Sequence, residues 1–100
     1  MSERRRLPNR RGGEICDFVH AGRLWTLTTG RLEDGSVGEL FVSGSKETPL
    51  LELVQESAIV ASLALQSGCP LEILRHALAG RNAGPLGVAL ALIDEARRDE

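Results

Sequence analysis

Aromatic side chains are scarce in this 100-residue sequence. It contains no tyrosine, and its aromatic residues are Phe18, Trp25 and Phe41. Proteins that bind single-stranded nucleic acid usually stack the bases on several aromatic rings, so this shortage argues against that class of function. The core must therefore be built mainly from leucine, valine, isoleucine and alanine.

Cysteines are also few, and they are far apart. Cys16 and Cys69 form no CxxC pair, so the sequence carries neither a zinc-binding nor a dithiol redox motif. Cys16 lies in a strand-like run, where we expect it to act as a small core side chain. No apolar signal segment is visible, and the longest apolar stretch, residues 58–65, is too short to cross a bilayer. These features predict a protein of the reducing cytoplasm.

Charge divides the chain into an arm and a body. The net charge is −2, but residues 1–11 alone carry +4, which leaves −6 for the remainder. We predict a flexible basic arm over residues 1–13 and a single domain over residues 14–98. Two interpretations of the arm stay open: a solvated tail, or a segment that contacts nucleic acid or another anion. Its arginines are Arg4, Arg5, Arg6, Arg10 and Arg11.

The first half of the body predicts three strands, over residues 14–20, 23–31 and 38–43. The first two are separated by a two-residue turn, Ala21-Gly22, and the last two by a turn of Glu, Asp, Gly and Ser. Strands in series with short connections form an antiparallel meander. Trp25 and Leu27 share the face that we expect to lie against helices.

The second half predicts three helices, over residues 49–67, 71–79 and 85–98. Thr48 is a suitable N-cap for the first helix, and Gly68 a suitable stop. This helix is apolar nearly all round in its second half, which indicates a central, buried helix. In the second helix we expect Leu71, Leu74 and Leu78 to face inward. Strands followed by helices predict an α+β fold, with the sheet packed against the helices.

One candidate ligand site lies at the start of the third helix. A helix N-terminus carries a partial positive charge and free N–H groups, and glycines allow a phosphate to approach the backbone. The alternative is that these glycines, with Pro85, only mark the start of a helix. Two arginines from the arm would add charge suited to phosphate. The candidate anion-binding residues are Arg10, Arg11, Arg81, Asn82, Gly84 and Gly87.

Patterns that indicate catalysis are missing from the sequence. Residues 44–48 precede a helix but lack the glycine and lysine spacing of a P-loop. His20 and His76 are single histidines with no nucleophile or paired carboxylate at a recognisable spacing. No acidic pair suggests a glycosidase or a two-metal site. We therefore predict no catalytic residue and no metal site in this chain.

Several runs together resemble a known family. These are residues 7–11 (LPNRR), residues 32–42 (LEDGSVGELFV), residues 58–72 (AIVASLALQSGCPLE) and residues 83–87 (AGPLG). The series resembles the TSCPD domain near the C-terminus of adenosylcobalamin-dependent (class II) ribonucleotide reductases, and also short stand-alone relatives of that domain. The likeness covers about residues 5–95. The family's Thr-Ser-Cys-Pro-Asp string is absent, and the comparable residues 82–86 hold no cysteine.

The resemblance implies an accessory module related to ribonucleotide reduction. Such a module would bind a reductase, a nucleotide or a phosphate-bearing ligand, and adenosylcobalamin is associated with it only through the family. The positions that hold the reductase's catalytic residues do not exist in this chain. Two alternatives stay open: a nucleic-acid-binding protein that uses the arginine arm, and a protein-interaction or antagonist module. The interaction module would use the edge of the third strand, or would form a homodimer through its apolar helices.

Overall fold

A computed structural model describes residues 13–44, 48–80 and 84–98. Three strands precede three helices, and the predicted α+β fold is confirmed with boundaries that agree to within two residues. Of the predicted arm, all but Gly13 lies outside the described residues. The elements are β1 (Gly13–His20), β2 (Arg23–Arg31), β3 (Val37–Gly44), α1 (Pro49–Gln66), α2 (Leu71–Ala77) and α3 (Pro85–Arg98).

The sheet is the predicted antiparallel meander, in the order β1-β2-β3. The turn between β1 and β2 is made by Ala21 and Gly22, whose φ angles are 54° and 73°. Two successive residues with positive φ are typical of the type I′ turn, whose twist matches that of the flanking strands. The turn sets the register, in which His20 pairs with Arg23 and Phe18 with Trp25.

At the far end of the sheet, the side chain of Leu32 approaches the backbone of Gly38 so closely that a glycine is required there. The pairing of β2 with β3 shifts by one residue after Gly30, so that Arg31 pairs with Val37 and Gly38 is the additional residue. A Cβ at Gly38 would lie 2.5 Å from Cγ of Leu32, which is buried there. The bulge therefore allows Leu32 to fold back over the strand.

The core lies between one face of the sheet and the helices. Trp25 and Leu27 are both buried on that face, as predicted, and Leu40 and Val42 continue it across β3. Thr48 caps α1 as predicted, since its side chain accepts a hydrogen bond from the N–H of Leu51. The helices contribute Leu51, Val54, Ala58, Ala61, Leu65, Leu71, Ala89, Leu90 and Ile93.

Side chains of α1 occupy the outer edge of β3. Ser62 Oγ accepts a hydrogen bond from the N–H of Leu40 and lies 3.1 Å from the Leu40 carbonyl oxygen and 2.8 Å from that of Ala58. Gln66 Nε2 donates to the carbonyl oxygen of Gly38 at 2.9 Å. Both side chains are buried. They therefore supply the polar contacts that a fourth strand would otherwise make, and they hold α1 beside β3.

The prediction that α1 is a central, buried helix is wrong. Its outward face carries Leu53, Ile59, Val60 and Leu63, and between 41% and 66% of each of these residues is exposed. The helix packs on β3 through one face, so only that inward stripe is buried. In α2, Leu71 is buried and Leu74 half-buried, but Leu78 is exposed because the helix ends at Ala77.

We predict that Ser62→Ala lowers the free energy of unfolding by about 2 to 3 kcal/mol, because a buried N–H group loses its partner. Urea titration followed by circular dichroism measures the change. Ser57→Ala is the matched control, since the Ser57 hydroxyl donates only to the Val54 carbonyl of the same helix. Equal stability losses in the two variants would contradict a special role of Ser62 at the sheet edge.

Candidate functional site

A groove opens where the helices leave part of the sheet uncovered. Because α1 is held beside β3, the inner side of β1 at Cys16 is left exposed by the part of the chain that the structure describes. The prediction that Cys16 is a core residue is therefore wrong: it faces the same side as Leu27 but is exposed. Cys69, in the connection after α1, lines the same groove and is partly buried.

The groove has a volume of about 760 Å³, which is within the usual range for a site that holds a small ligand. Its apolar residues come from β2, the β2–β3 turn, β3 and the three helices, and its charged residues come from β1, β2, the β2–β3 turn, α2 and α3. The apolar part includes Leu27, Leu32, Val37, Leu65, Leu71, Leu92 and Ile93; the charged part includes Glu14, Arg31, Asp34, Glu72, Glu95 and Arg97.

Arg31 joins β1, β2 and the following turn in the wall of the groove. Its guanidinium lies 3.0 Å from Glu14 Oε1 and donates to the carbonyl oxygen of Gly35 at 2.7 Å. Glu14 stands on the same strand face as Cys16, two residues away. The arginine therefore holds a carboxylate beside the thiol, and it fixes the turn that forms this wall.

Asp94 lies behind the wall of the groove to which Glu72 and Arg97 belong. Its carboxylate is buried and accepts hydrogen bonds from Arg75 of α2 and from Arg97 of α3, the latter at 2.7 Å. Arg97 also pairs with Glu72 at the start of α2. This network ties the short helix α2 to α3. It adds to the apolar packing of α2, which buries only one residue, Leu71.

The pKa of Glu72 lies below its ordinary value. The main cause is a hydrogen bond that its carboxylate accepts from its own backbone N–H, and the second is the hydrogen bond from Arg97. A carboxyl group whose pKa is lowered in the folded state stabilises that state at pH values above its ordinary pKa. This stabilisation is lost as the pH falls through the lowered pKa. Since Glu72 is half exposed, the pair with Arg97 contributes little at neutral pH.

The polar lining of the groove consists of carboxylates, arginines, hydroxyls and thiols rather than imidazoles. Neither His20 nor His76 is among its lining residues, so neither is placed to transfer a proton within it. Within residues 13–44, 48–80 and 84–98, no group of three or more His, Cys, Asp or Glu side chains could hold a metal ion.

The predicted anion site lies elsewhere, at the start of α3. Arg10, Arg11, Arg81 and Asn82 lie outside the described residues, so their convergence stays a prediction. Gly84 is exposed, and its carbonyl oxygen accepts the N–H of Val88, which makes it the residue that precedes the helix. Gly87 is buried in the first turn of α3. Sequence reasoning missed the groove, because its walls come from residues distant in the chain.

Comparison with known proteins relates the chain to ribonucleotide reductases. The vitamin B12-dependent ribonucleotide reductase of Bradyrhizobium diazoefficiens is 40% identical over 73 residues, which is 72% of this chain and 6% of the reductase. The enzyme of the same name from Agrobacterium fabrum is 37% identical over 87 residues, and that from Rhodopirellula baltica 33% over 85 residues. They correspond to 86% and 84% of this chain, but to 7% and 8% of those enzymes.

The relation therefore concerns one small part of a reductase. The predicted link to these enzymes is confirmed at that level, while the assignment to the TSCPD domain stays a prediction. No family model matches the sequence, and no solved structure does. In the part of the chain that the structure describes, no helix is both long and apolar enough to span a membrane.

We predict that Asp94→Asn lowers the free energy of unfolding by about 2 to 3 kcal/mol, because charge-assisted hydrogen bonds to two arginines are lost. Thermal unfolding at neutral pH measures the loss. Glu95→Gln is the control: it removes the neighbouring charge from an exposed position, and we expect a change within about 0.5 kcal/mol. Similar values for the two variants would show that the network around Asp94 does not secure α2.

Proposed function

We propose that this chain is a non-catalytic accessory domain of ribonucleotide reduction that acts by binding a B12-dependent ribonucleotide reductase in the cytoplasm. The observation that carries the proposal is the similarity of most of the chain to a segment that makes up only 6% to 8% of such reductases. In those proteins the related segment is joined to a much larger body. A surface suited to contact with that body is therefore expected on this domain.

The outward face of α1 is the surface that we assign to this contact. Leu53 and Val60 are one heptad apart and are 64% and 66% exposed, and Ile59 and Leu63 lie beside them. The only charged residues of α1 are Glu52 and Glu56. Exposed apolar side chains grouped on one helix face are typical of protein interaction sites, and this helix face suits a groove on a partner.

We predict that the chain alone reduces no ribonucleotide when supplied with adenosylcobalamin and a dithiol reductant. We also predict that it binds the purified reductase of Agrobacterium fabrum in a calorimetric titration. The double variant Leu53→Lys with Val60→Lys is expected to bind more than about tenfold more weakly, since each buried apolar side chain contributes about 1.5 to 3 kcal/mol.

The control for that experiment is Gln55→Lys, which adds a positive charge at an exposed position of α1 away from Leu53 and Val60. It is expected to bind like the unchanged chain. Turnover by the isolated chain would contradict the non-catalytic role. Absence of binding, or equal binding by the double variant, would contradict the assigned surface.

The ligand part of the proposal concerns a nucleotide or phosphate at the start of α3. Its support is the exposed Gly84, at which an added Cβ would meet no atom within 4 Å, followed by the helix N-terminus. The residues that we propose for it are Arg10, Arg11, Arg81, Asn82, Gly84 and Gly87. The acidic body would repel the phosphates of a nucleic acid, which argues against nucleic acid as the ligand of this site. Nucleic-acid binding would then be confined to the arginine arm.

We predict that Arg81→Ala weakens ADP binding by about tenfold in a calorimetric titration, because a charge-assisted hydrogen bond to phosphate is lost. Arg23→Ala is the matched control, since Arg23 is exposed at the β1–β2 turn and far from α3 in sequence. An absence of ADP binding by the unchanged chain, or equal loss in both variants, would refute the anion site.

A further inference from the structure

The backbone pattern of the sheet identifies which polar groups of β1 face outward. In a two-residue hairpin, the residues that flank the turn exchange hydrogen bonds, and every second pair along the strands does the same. His20 and Phe18 therefore bond to β2, through Arg23 and Trp25. The backbone N–H and C=O groups of Ile15, Asp17 and Val19 consequently point away from β2.

The same alternation accounts for the contacts of β3, which supports this assignment. When the alternation of bonded pairs is continued across β2, the N–H and C=O groups of Gly38 and Leu40 point toward the outer edge of β3. Those are the groups that Gln66 and Ser62 bind. The third strand is therefore covered at this part of its edge. The hypothesis that the edge of β3 accepts a partner strand stays a prediction for the part of the strand outside residues 38–40.

The edge of β1 differs from that of β3 in both its backbone and its side chains. Among the described residues, only β2 pairs with β1. Ile15 and Val19 are 75% and 70% exposed, and Asp17 lies between them on the same strand face. Asp17 Oδ1 accepts a hydrogen bond from the hydroxyl of Thr26, and this bond holds the carboxylate on this face. An exposed, largely apolar edge strand is a template for an added strand.

We propose that the edge of β1 binds an extended segment of a partner protein that carries a basic side chain between two apolar ones. Main-chain hydrogen bonds to Ile15, Asp17 and Val19 would provide the register. A lysine or arginine opposite Asp17 would pair with its carboxylate, and apolar side chains two residues to either side would cover Ile15 and Val19. This surface is separate from the outward face of α1.

Charge argues against a second copy of the chain as the occupant. If two β1 strands paired about a two-fold axis in the register that joins Ile15 to Val19, Asp17 would lie directly opposite its own copy. Like charges at directly opposed positions destabilise a strand pair. A basic partner residue removes this repulsion and replaces it with attraction, so the alternating apolar–basic–apolar pattern is the better match.

The test uses two synthetic peptides, acetyl-TVTKTVT-amide and acetyl-TVTETVT-amide, and the chain labelled with ¹⁵N. We expect the lysine peptide to shift the amide signals of Ile15, Asp17 and Val19 and to slow their hydrogen exchange, while those of β3 change little. The glutamate peptide should bind about fivefold more weakly, as the difference between an attractive and a repulsive cross-strand pair implies. In Asp17→Lys the preference should reverse.

Two further variants separate backbone pairing from charge. Asp17→Pro removes one outward N–H without removing a hydrogen bond to β2, and it should abolish binding of both peptides. Asp17→Asn keeps the N–H and should bind both peptides equally. Shifts confined to other residues, or an unchanged peptide preference in Asp17→Lys, would overturn the proposal. So would a dimer of the unchanged chain that Asp17→Pro dissociates, because the occupant would then be a second copy.

Discussion

The position of α1 against the edge of β3 determines much of this structure. Ser62 and Gln66 contact the backbone groups that β3 would otherwise present to another strand. A buried polar group without a partner costs free energy, so these contacts favour one placement of the helix. With α1 beside β3, the far side of the sheet is less covered. The groove beside Cys16 and the open edge of β1 are both consequences.

The remaining helices are joined by charge as well as by apolar contact. α2 has seven residues and buries one of them fully. A helix of this length is not stable alone, and its attachment depends on tertiary contacts. Asp94, buried on α3, binds arginines from both helices and so links them at the rim of the groove. The wall of the groove thus depends on an ion network that includes residues distant in sequence.

Two groups of exposed apolar side chains are central to the proposals made for this domain. One is the outward face of α1, and the other is the outer face of β1 with Ile15 and Val19. The proposed accessory function would use such surfaces to contact a reductase, of which the related segment makes up 6% to 8%. In this proposal the chain presents contact surfaces, and a partner carries out the chemistry of reduction.

The sequence by itself determined the elements and their order. The Ala21-Gly22 turn, the Thr48 cap and the alternation around Trp25 are local signals, and each acts over a few residues, so the six elements were predicted to within two residues. Only the tertiary structure decided which apolar faces are covered. Cys16, Val60 and Leu78 are exposed because burial depends on where another element lies, and no local pattern encodes that position. Likewise, Ser62 is an ordinary polar interruption of a helix until β3 lies beside it, and the groove exists only where distant segments meet.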